Sequence, residues 1–499
     1  MNRLLKALQG FAATAPERRA LWDGQTALTY RQLWLELDKN DLRASTKATT
    51  GLMLDNGLPW VLCDLLALRS KRPTAPIPGF FTRQQKIHTI RQSGISRLLS
   101  DDSSQAEELL RLAWGGNVHS TPLDVAGQTI HASTAESAEA AELPTGTAKI
   151  TYTSGTTGNP KGVCLCAKDL FDVAASVCER SGASTDDRHL CITPLSTLLE
   201  NVAGVYAALL SGAQCVVPPL REVGLKGSSG FDPAILINAL SRFSPSTLIT
   251  TPQILELLVR VLESGSQLAS APRFVAVGGA RVTEALLRRA SQAGLRVYQG
   301  YGLSECASVV SLNGPGHERL GSVGRPLAHA TVTLSTEGEI LVSGARHLGY
   351  LGDHRPPPEP WPTGDLGRID EQGFLYVAGR KRDVIITAYG RNFSPEWVEQ
   401  ELTNQPEIAQ AVVFGEAKPW NTAILVVAPG TGSTPIADAV NRANQALPDY
   451  ARVIRWLIAD QPFLPGNGQL TVSGRPRREA ILARYGQDIE CLYQEEITV

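Results

Sequence analysis

One thirteen-residue segment organises the chain, Thr151-Tyr152-Thr153-Ser154-Gly155-Thr156-Thr157-Gly158-Asn159-Pro160-Lys161-Gly162-Val163. It opens with β-favouring residues, continues with small and hydroxyl-bearing residues, and ends at a lysine before an apolar run. This order predicts a strand, a mobile loop and a second strand. Glycines let a backbone approach a ligand closely, and hydroxyls, backbone N–H groups and a lysine attract an anion. The segment predicts a polyphosphate-binding loop, with a polar surface turn as the alternative.

The spacing from Gly155 to Lys161 does not fit a Walker loop, and no hydroxyl follows the lysine. As a whole string, the segment resembles the phosphate-loop signature of the acyl-adenylate-forming enzymes, which include acyl-CoA synthetases, luciferases and the adenylation domains of peptide synthetases. The resemblance implies that Lys161 is catalytic and that Thr157 is a Mg²⁺ ligand. It also implies that the ATP-binding residues of the loop are Thr153, Ser154, Gly155, Thr156, Thr157 and Gly158.

Length and charge are typical of a soluble enzyme with two or three domains. The chain has 499 residues, and 47 basic residues nearly balance 49 acidic ones. Neither nucleic acid nor an acidic membrane is therefore expected as the main partner. No apolar run approaches the roughly 20 residues of a membrane span, and the start of the chain does not have the pattern of a secretory signal. A cytoplasmic location is the expectation.

The eight cysteines and eight histidines are dispersed through the chain. Only Cys164 and Cys166 lie close together, and on a predicted strand they point to the same face, which favours buried packing over a metal site. No zinc-ligand spacing is present. No histidine is assigned a functional role.

Strand and helix patterns alternate through most of the chain, which predicts a layered α/β core. A buried helix is expected at 202–212, and strands are expected at 190–195 and 274–277. Gly279 and Ala280 follow the last of these strands. Because open α/β sheets bind ligands at the carboxyl ends of their strands, both residues are candidates for nucleotide contact.

An aromatic residue, two glycines, a hydroxyl and a carboxylate then share one turn, Gly300-Tyr301-Gly302-Leu303-Ser304-Glu305. Such side chains can stack on a base, bond a phosphate and hold Mg²⁺, and the alternative is a tight turn with a solvated glutamate. The turn resembles the adenylate-forming family's aromatic-Gly-x-[Ser/Thr]-Glu motif. The resemblance implies that Tyr301 contacts adenine, Ser304 contacts phosphate and Glu305 binds the metal, with Gly302 also among the nucleotide-binding residues.

Two later motifs extend the resemblance. Asp365 follows a Thr-Gly turn and resembles the aspartate of the family's Thr-Gly-Asp, which implies that it binds the ribose hydroxyls. Arg380 begins a charged connector that ends at Asp383 and resembles the family's Gly-Arg-x-x-Asp hinge. It implies that Arg380 contacts the nucleotide and that Asp383 absorbs a backbone rotation. A common turn and a solvated loop are the alternatives.

The expected fold is a large multi-layer α/β domain at residues 1–379, joined by the hinge to a small, mobile α+β domain at residues 380–499. The elements predicted in the small domain are a helix at 395–403 capped by Ser394, strands at 409–414, 422–427 and 452–457, a helix at 435–446, and a basic tail after Phe463.

Two departures and one further role follow from the resemblance. Gly390 is implied to line a thiol tunnel after the rotation. The catalytic lysine of the relatives aligns best with Arg475, and arginine keeps the charge but replaces a compact ammonium with a wide fork. Thr197 stands where many long-chain synthetases have histidine.

The motifs run in the family's order and most resemble the long-chain fatty acyl-CoA synthetases. The resemblance implies that ATP and Mg²⁺ activate a carboxylic acid, expected to be a fatty acid, to acyl-AMP, with coenzyme A accepting the acyl group. The implied role is in lipid metabolism. Lys161, Glu305 and Arg475 are the implied catalytic residues. The alternatives are an acyl-AMP ligase that loads a carrier protein and a non-catalytic nucleotide-binding homologue.

Overall fold

A computed structural model describes residues 3–39, 49–153, 160–227, 230–279, 282, 284–380, 385–429, 436–464, 466–470 and 476–494. The described residues belong to two compact units, a large one that includes Pro160–Arg382 and a small one that includes Asp383–Val499. Both units mix helices with strands. The predicted fold class, a large α/β N-terminal domain followed by a smaller C-terminal domain, is confirmed.

The large unit contains two extended sheets and several covering helices. Its strands are β1 Arg19–Trp22, β2 Ala27–Thr29, β3 Thr49–Met53, β4 Thr74–Pro76, β5 Ile95–Ser100, β6 Val118–Val125, β7 Gln128–Ala135, β8 Thr147–Thr153, β9 Lys161–Cys166, β10 Arg188–Leu190, β11 Gln214–Val216, β12 Leu225–Lys226, β13 Gly230–Phe231, β14 Thr247–Thr250, β15 Phe274–Val277, β16 Val297–Leu303, β17 Ser308–Leu312, β18 Arg325–Pro326, β19 Ala330–Leu334, β20 Glu339–Gly344, β21 Gly349–Tyr350, β22 Trp361–Ile369 and β23 Leu375–Arg380. Its helices are α1 Arg3–Thr14, α2 Tyr30–Lys39, α3 Leu58–Arg69, α4 Arg83–Gln92, α5 Ser103–Trp114, α6 Ala167–Ser181, the π-helix Glu200–Tyr206 continued by α7 Ala207–Leu210, α8 Pro233–Phe243, α9 Pro252–Glu263 and α10 Glu284–Gln292, with 3₁₀ turns at Leu220–Val223 and Ser304–Cys306.

The two extended sheets exchange strands. One has the order β18-β17-β16-β15-β14-β10-β11-β1-β2, and the other has the order β21-β9-β8-β4-β3-β5-β7-β6. The first sheet comes mostly from the middle of the chain but takes β1 and β2 from its beginning. The second comes mostly from the first third of the chain but takes β21 from residues 349–350. A third sheet, β19-β20-β22-β23, completes the unit.

The main apolar core joins both extended sheets. It contains side chains from α1, α3, α6 and the π-helix together with residues of β1, β3, β9 and β14. In α3 every residue from Leu58 to Leu68 is buried. Apolar burial on all sides of a helix is typical of a position inside a large domain. The core therefore ties the two sheets into one body.

The predicted helix at 202–212 forms, but it begins at Glu200, and its first seven residues are a π-helix. The predicted strand at 190–195 is wrong beyond Leu190. There the side-chain amide of Asn56 donates to the Thr193 carbonyl at 2.9 Å and accepts from the Leu195 N–H at 2.9 Å. Those backbone groups therefore do not pair with a neighbouring strand. The β6–β7 hairpin was not predicted.

In the small unit the elements are β24 Ile385–Ile386, β25 Asn392–Phe393, α11 Pro395–Thr403, β26 Ile408–Phe414, β27 Asn421–Val427, α12 Ile436–Gln445, a 3₁₀ turn at Asp449–Ala451, β28 Val453–Ile458 and α13 Arg478–Gln494. The predicted strands and helices form within a residue or two of their expected bounds. The turn and basic tail were predicted at residues 463–478, and no helix was predicted after them. The structure adds α13 there, in which Ile481, Tyr485 and Ile489 are buried at helical spacing. Ser394 occupies the N-cap position of α11 without a side-chain cap hydrogen bond.

Among the described helices, none combines the length and the apolar character that crossing a bilayer requires. The cytoplasmic location stays a prediction.

Candidate functional site

Lys161 begins β9, opposite the end of β8. The two strands pair antiparallel with Thr153 facing Lys161, so both predicted strands form. The loop residues between them, Ser154, Gly155, Thr156, Thr157 and Gly158, lie outside the described residues. The Lys161 side chain is exposed, and its Nζ lies 5.8 Å from the centre of the Tyr350 ring. Within the described ranges it has no carboxylate at salt-bridge distance, so its charge is available to a ligand.

Glu305 lies in the 3₁₀ turn between β16 and β17. Its Oε1 accepts a hydrogen bond from the Tyr350 hydroxyl at 2.8 Å. Its other carboxylate oxygen has no hydrogen-bond partner in the described part of the chain. Mg²⁺ prefers carboxylate oxygens and keeps several waters, so a half-buried carboxylate with one oxygen unengaged fits the metal role that the resemblance implies.

The backbone around Glu305 is held in an unusual conformation. Ala307 and Ser308 follow the 3₁₀ turn with φ values of +57° and +107°, in a region that residues with a Cβ rarely adopt. Gly302 precedes the turn, and a Cβ there would lie 1.7 Å from the Ser308 carbonyl oxygen. A glycine is therefore required at 302 because the returning strand passes against it. The turn places Ser304 and Glu305 within four residues of Tyr301.

Tyr301 and Asp365 form a buried pair. The Tyr301 hydroxyl donates to Asp365 Oδ2 at 2.6 Å, and Asp365 is 5% exposed. Burial raises the pKa of Tyr301 well above its ordinary value, and the neighbouring Asp365 carboxylate raises it further. The phenol thus remains a donor at neutral pH. Residues 64 positions apart in sequence, predicted to hold the base and the ribose, are in direct contact.

Strand register relates two further predicted residues to this pair. Asp365 and Arg380 face each other across the β22–β23 pairing. Gly279 follows β15, whose Val277 is in register with Gln299 of β16, so the parallel pairing leads toward Tyr301. Gly279 has φ +86°, which favours glycine. The neighbouring prediction, Ala280, lies outside the described residues.

Three predicted residues belong to the hinge and to the small domain. Asp383 and Arg475 lie outside the described residues. Gly390 belongs to the small unit, where it has φ +73° and donates its N–H to the Thr387 carbonyl at 2.8 Å. No role of these three residues is tested by the geometry.

Sequence reasoning missed an aromatic group next to Glu305, made of His347, Tyr350 and Trp361. The His347 ring centroid lies 5.0 Å from that of Tyr350 and 4.4 Å, edge-on, from that of Trp361. His347 is 2% exposed, and neither ring nitrogen has a hydrogen bond of good geometry within the described residues. Burial lowers the pKa of His347, although the nearby Glu305 charge acts in the opposite direction. These residues sit in a β-rich stretch, where nothing in the sequence distinguishes them from structural aromatics.

A second polar group lies at the start of the π-helix. Within the described ranges, His189, Cys191 and Glu200 are buried and close enough together to hold a metal ion. Their hydrogen bonds are already made. His189 Nε2 lies 2.9 Å from Glu200 Oε1, while Glu200 Oε2 accepts from the Thr193 N–H at 3.1 Å and from the Thr193 hydroxyl at 2.6 Å. A satisfied network of this kind anchors the helix, and the histidine has no assigned ligand role.

The chain is similar to known proteins along most of its length. The profile of AMP-binding enzymes matches residues 8–351, and the profile of the AMP-binding enzyme C-terminal domain matches residues 382–497. The chain is 26% identical to long-chain-fatty-acid–CoA ligase FadD15 of Mycobacterium bovis, over 88% of this chain and 86% of that protein. It is 27% identical to 2-succinylbenzoate–CoA ligase of Bacillus subtilis, over 82% and 84% of the two chains.

Solved structures share the fold. A double mutant of o-succinylbenzoate CoA synthetase from Bacillus subtilis, bound with its product analogue, superposes with a TM-score of 0.74 at 23% identity over 96% of this chain and 98% of that chain. The same enzyme in complex with ATP and magnesium ion superposes with a TM-score of 0.61 at 23% identity over 91% and 96% of the two chains.

Proposed function

Because the chain belongs to the AMP-binding enzyme family, we propose that it forms an acyl-AMP from ATP and a carboxylic acid and then transfers the acyl group to coenzyme A. A carboxylate oxygen of the acid attacks the α-phosphorus, and the bond to pyrophosphate breaks. The coenzyme A thiol then attacks the acyl carbon, and AMP leaves. The observation that carries the proposal is the direct contact of Tyr301 with Asp365. Glu305, four residues after Tyr301, accepts a hydrogen bond from Tyr350, and the Tyr350 ring lies 5.8 Å from Lys161 Nζ.

In this reaction the protein acts by positioning and by charge. Asp365 would hold the ribose hydroxyls, and the Tyr301 ring, fixed by its hydrogen bond, would lie against the base. Lys161 and Mg²⁺ bound to Glu305 would neutralise phosphate charge as pyrophosphate leaves. Three further residues would contact the nucleotide. Ser304 follows Tyr301 by three residues, Arg380 pairs with Asp365, and Gly279 follows the strand that pairs with the Tyr301 strand.

For the acid, we propose a fatty acid. The similarity to a long-chain-fatty-acid–CoA ligase supports this. An aromatic carboxylic acid is the second candidate, since the 2-succinylbenzoate–CoA ligase shows a comparable identity over a comparable share of the chain. The phosphate-loop residues, with Thr157 as a second metal ligand, remain part of the proposal.

Acid-dependent exchange between pyrophosphate and ATP tests the first step. Purified protein is incubated with ATP, Mg²⁺, labelled pyrophosphate and a panel of fatty acids of increasing length together with aromatic acids. We expect exchange with at least one fatty acid and AMP release that depends on coenzyme A. ATP binding without exchange for any acid would instead favour the non-catalytic homologue, and exchange without use of coenzyme A would favour loading of a carrier protein.

The proposed domain rotation separates the two steps. In this proposal residues 380–499 turn about Asp383 between the two steps. An Asp383→Pro variant would fix φ at that residue and so hinder the rotation. We expect acyl-AMP formation to continue and thioester formation from synthetic acyl-AMP to fall. An Arg475→Ala variant should show the opposite pattern, with the adenylation step slowed far more. Equal losses in both steps for either variant would remove its assigned role.

A further inference from the structure

A short segment at residues 347–351, named here the bridge segment, connects the two charged sides of the site. The backbone N–H of His347 donates to the Glu305 carbonyl at 2.7 Å. The N–H groups of Leu348 and Leu351 donate to the carbonyls of Cys164 and Gly162 on β9, both at 2.8 Å. The bridge segment therefore fixes the Glu305 turn relative to β9.

Tyr350 is the side chain of the bridge segment that contacts both charges. Its hydroxyl holds Glu305 Oε1 at 2.8 Å, and its ring lies 5.8 Å from Lys161 Nζ, within the range of a cation–π contact. His347 and Trp361 pack against the ring, with centroid distances of 5.0 and 6.2 Å. The ring thus has little freedom to turn away.

We propose that Tyr350 is a positioning residue that orients the Glu305 carboxylate for Mg²⁺ and keeps it from pairing with Lys161. This inference rests on the proposed function. Lysine and glutamate side chains that meet directly neutralise each other, and neither is then available to a polyphosphate or a cation. Here the lysine ammonium lies over the Tyr350 ring at 5.8 Å, and the Tyr350 hydroxyl ties the carboxylate by one oxygen at 2.8 Å. The second oxygen is left for the metal.

Metal binding, measured apart from turnover, tests this role. Mn²⁺ is titrated into the full-length protein with an ATP analogue that cannot release pyrophosphate, and free Mn²⁺ is followed by electron paramagnetic resonance. Hydrogen bonds to charged groups are stronger than neutral ones, so we expect Tyr350→Phe to weaken Mn²⁺ binding about tenfold. Binding of the analogue without metal, followed by calorimetry, should stay within about twofold of the unmodified protein, because Phe retains the ring beneath Lys161.

Tyr376→Phe is the matched control. The Tyr376 hydroxyl donates to Asp370 Oδ2 at 3.1 Å, so this variant removes a similar tyrosine–carboxylate bond away from Glu305. We expect it to leave Mn²⁺ binding unchanged. In a Glu305→Gln background, Tyr350→Phe should produce no further loss, since the hydroxyl acts through the carboxylate.

Three results would overturn the inference. These are Mn²⁺ binding by Tyr350→Phe that equals the control, equal losses with and without metal, and an unmodified protein that binds no Mn²⁺ with the analogue. Failure of the proposed function looks different, because metal-dependent analogue binding would persist while no acid supports exchange. Exchange by the unmodified protein, together with unchanged Mn²⁺ binding in Tyr350→Phe, would remove the role of Tyr350 alone.

Discussion

The large unit contains two groups built from the same three residue types, a lysine, a tyrosine and an acid. In one, Lys149 Nζ lies 2.8 Å from Asp64 Oδ1 and 5.1 Å from the centre of the Tyr206 ring, and the Tyr206 hydroxyl donates to Asp64 at 2.5 Å. Asn201 also accepts from Lys149, and Lys149 and Asp64 are each 1% exposed. In the other, Lys161 and Glu305 both approach Tyr350 but have no salt bridge to each other.

The difference separates a structural group from a candidate binding group. In the closed group every charge is paired, and burial lowers the pKa of Lys149 while Asp64 opposes that shift. In the open group the lysine is exposed, and one Glu305 oxygen has no partner among the residues that the structure describes, so both can act on a ligand. The two groups have similar residues, so residue types alone do not identify a binding site. What distinguishes the open group is that its lysine and carboxylate are held in place without forming an ion pair with each other.

The largest expected effect tests the closed group. Lys149→Met leaves Asp64 buried without its counter-ion, and breaking a buried pair in this way costs about 3–5 kcal/mol of unfolding free energy. Chemical denaturation of the purified variant measures the loss. The double variant Lys149→Met with Asp64→Leu should recover at least half of it, because both buried charges are then gone. A single variant as stable as the unmodified protein would show that the pair contributes nothing.

Lys161→Met is the matched change in the open group and should leave the unfolding free energy within about 0.5 kcal/mol, since the side chain is exposed. Acid-dependent pyrophosphate exchange should fall about 10²–10³-fold, the usual cost of losing one group that stabilises developing charge. Unchanged ATP kinetics in Lys161→Met would favour the alternative that residues 151–163 form a polar surface turn. Loss of stability equal to that of Lys149→Met would abolish the contrast between the groups.

A smaller effect is expected at Tyr301. Tyr301→Phe leaves the ring in place but removes one hydrogen bond that holds the Asp365 carboxylate. The KM for ATP should therefore rise about three- to tenfold, in line with a hydrogen bond worth about 1 kcal/mol. The kcat should change less than the KM. Tyr376→Phe again serves as the comparison, and a similar rise there would show that the effect is not specific to the nucleotide pocket.

The smallest expected effect is a loss of unfolding free energy at acidic pH. It is expected to come from His329, which lies outside the closed group. Burial lowers the pKa of His329 below its ordinary value of 6.5, so on acidification the unfolded chain takes up a proton before the folded chain does. Stability is then fully present above about pH 6.5 and falls as the pH drops toward the folded pKa, by at most about 1.4 kcal/mol per pH unit for each such group. His329→Gln should flatten this decline between pH 7 and 5.5 in denaturant titrations. The exposed His317→Gln should not, and equal slopes for the two variants would contradict the expectation.

Local patterns predicted most of the elements, because apolar periodicity and β-propensity act over a few residues. The pattern failed after Cys191, where a side chain distant in sequence, Asn56, binds the Thr193 carbonyl and the Leu195 N–H. No prediction covered α13, although its buried residues Ile481, Tyr485 and Ile489 recur at helical spacing. The resemblance to a family predicted only that Tyr301 and Asp365 bind the same nucleotide. Their direct contact was not predicted, since no local rule links residues 64 positions apart.

Tyr350 and His347 could not be found from the sequence alone. Their roles depend on β21, a two-residue strand that sequence patterns are too short to predict, and on its pairing with β9. The closed group has the same limitation, because Asp64, Lys149 and Tyr206 come from three separate elements. Burial and hydrogen bonding, which appear only in the folded chain, decide what such residues do.

The exchange of strands between the two extended sheets has a consequence for how the chain reaches its native state. Neither sheet can be completed from a contiguous stretch of polypeptide, since one needs the first thirty residues and the other needs residues 349–350. During synthesis, the edge of β9 must wait for nearly two hundred further residues before β21 covers it, so an incomplete chain displays an unpaired edge that invites association with other chains. Afterwards, the same interlocking should make both sheets melt together as a single cooperative unit.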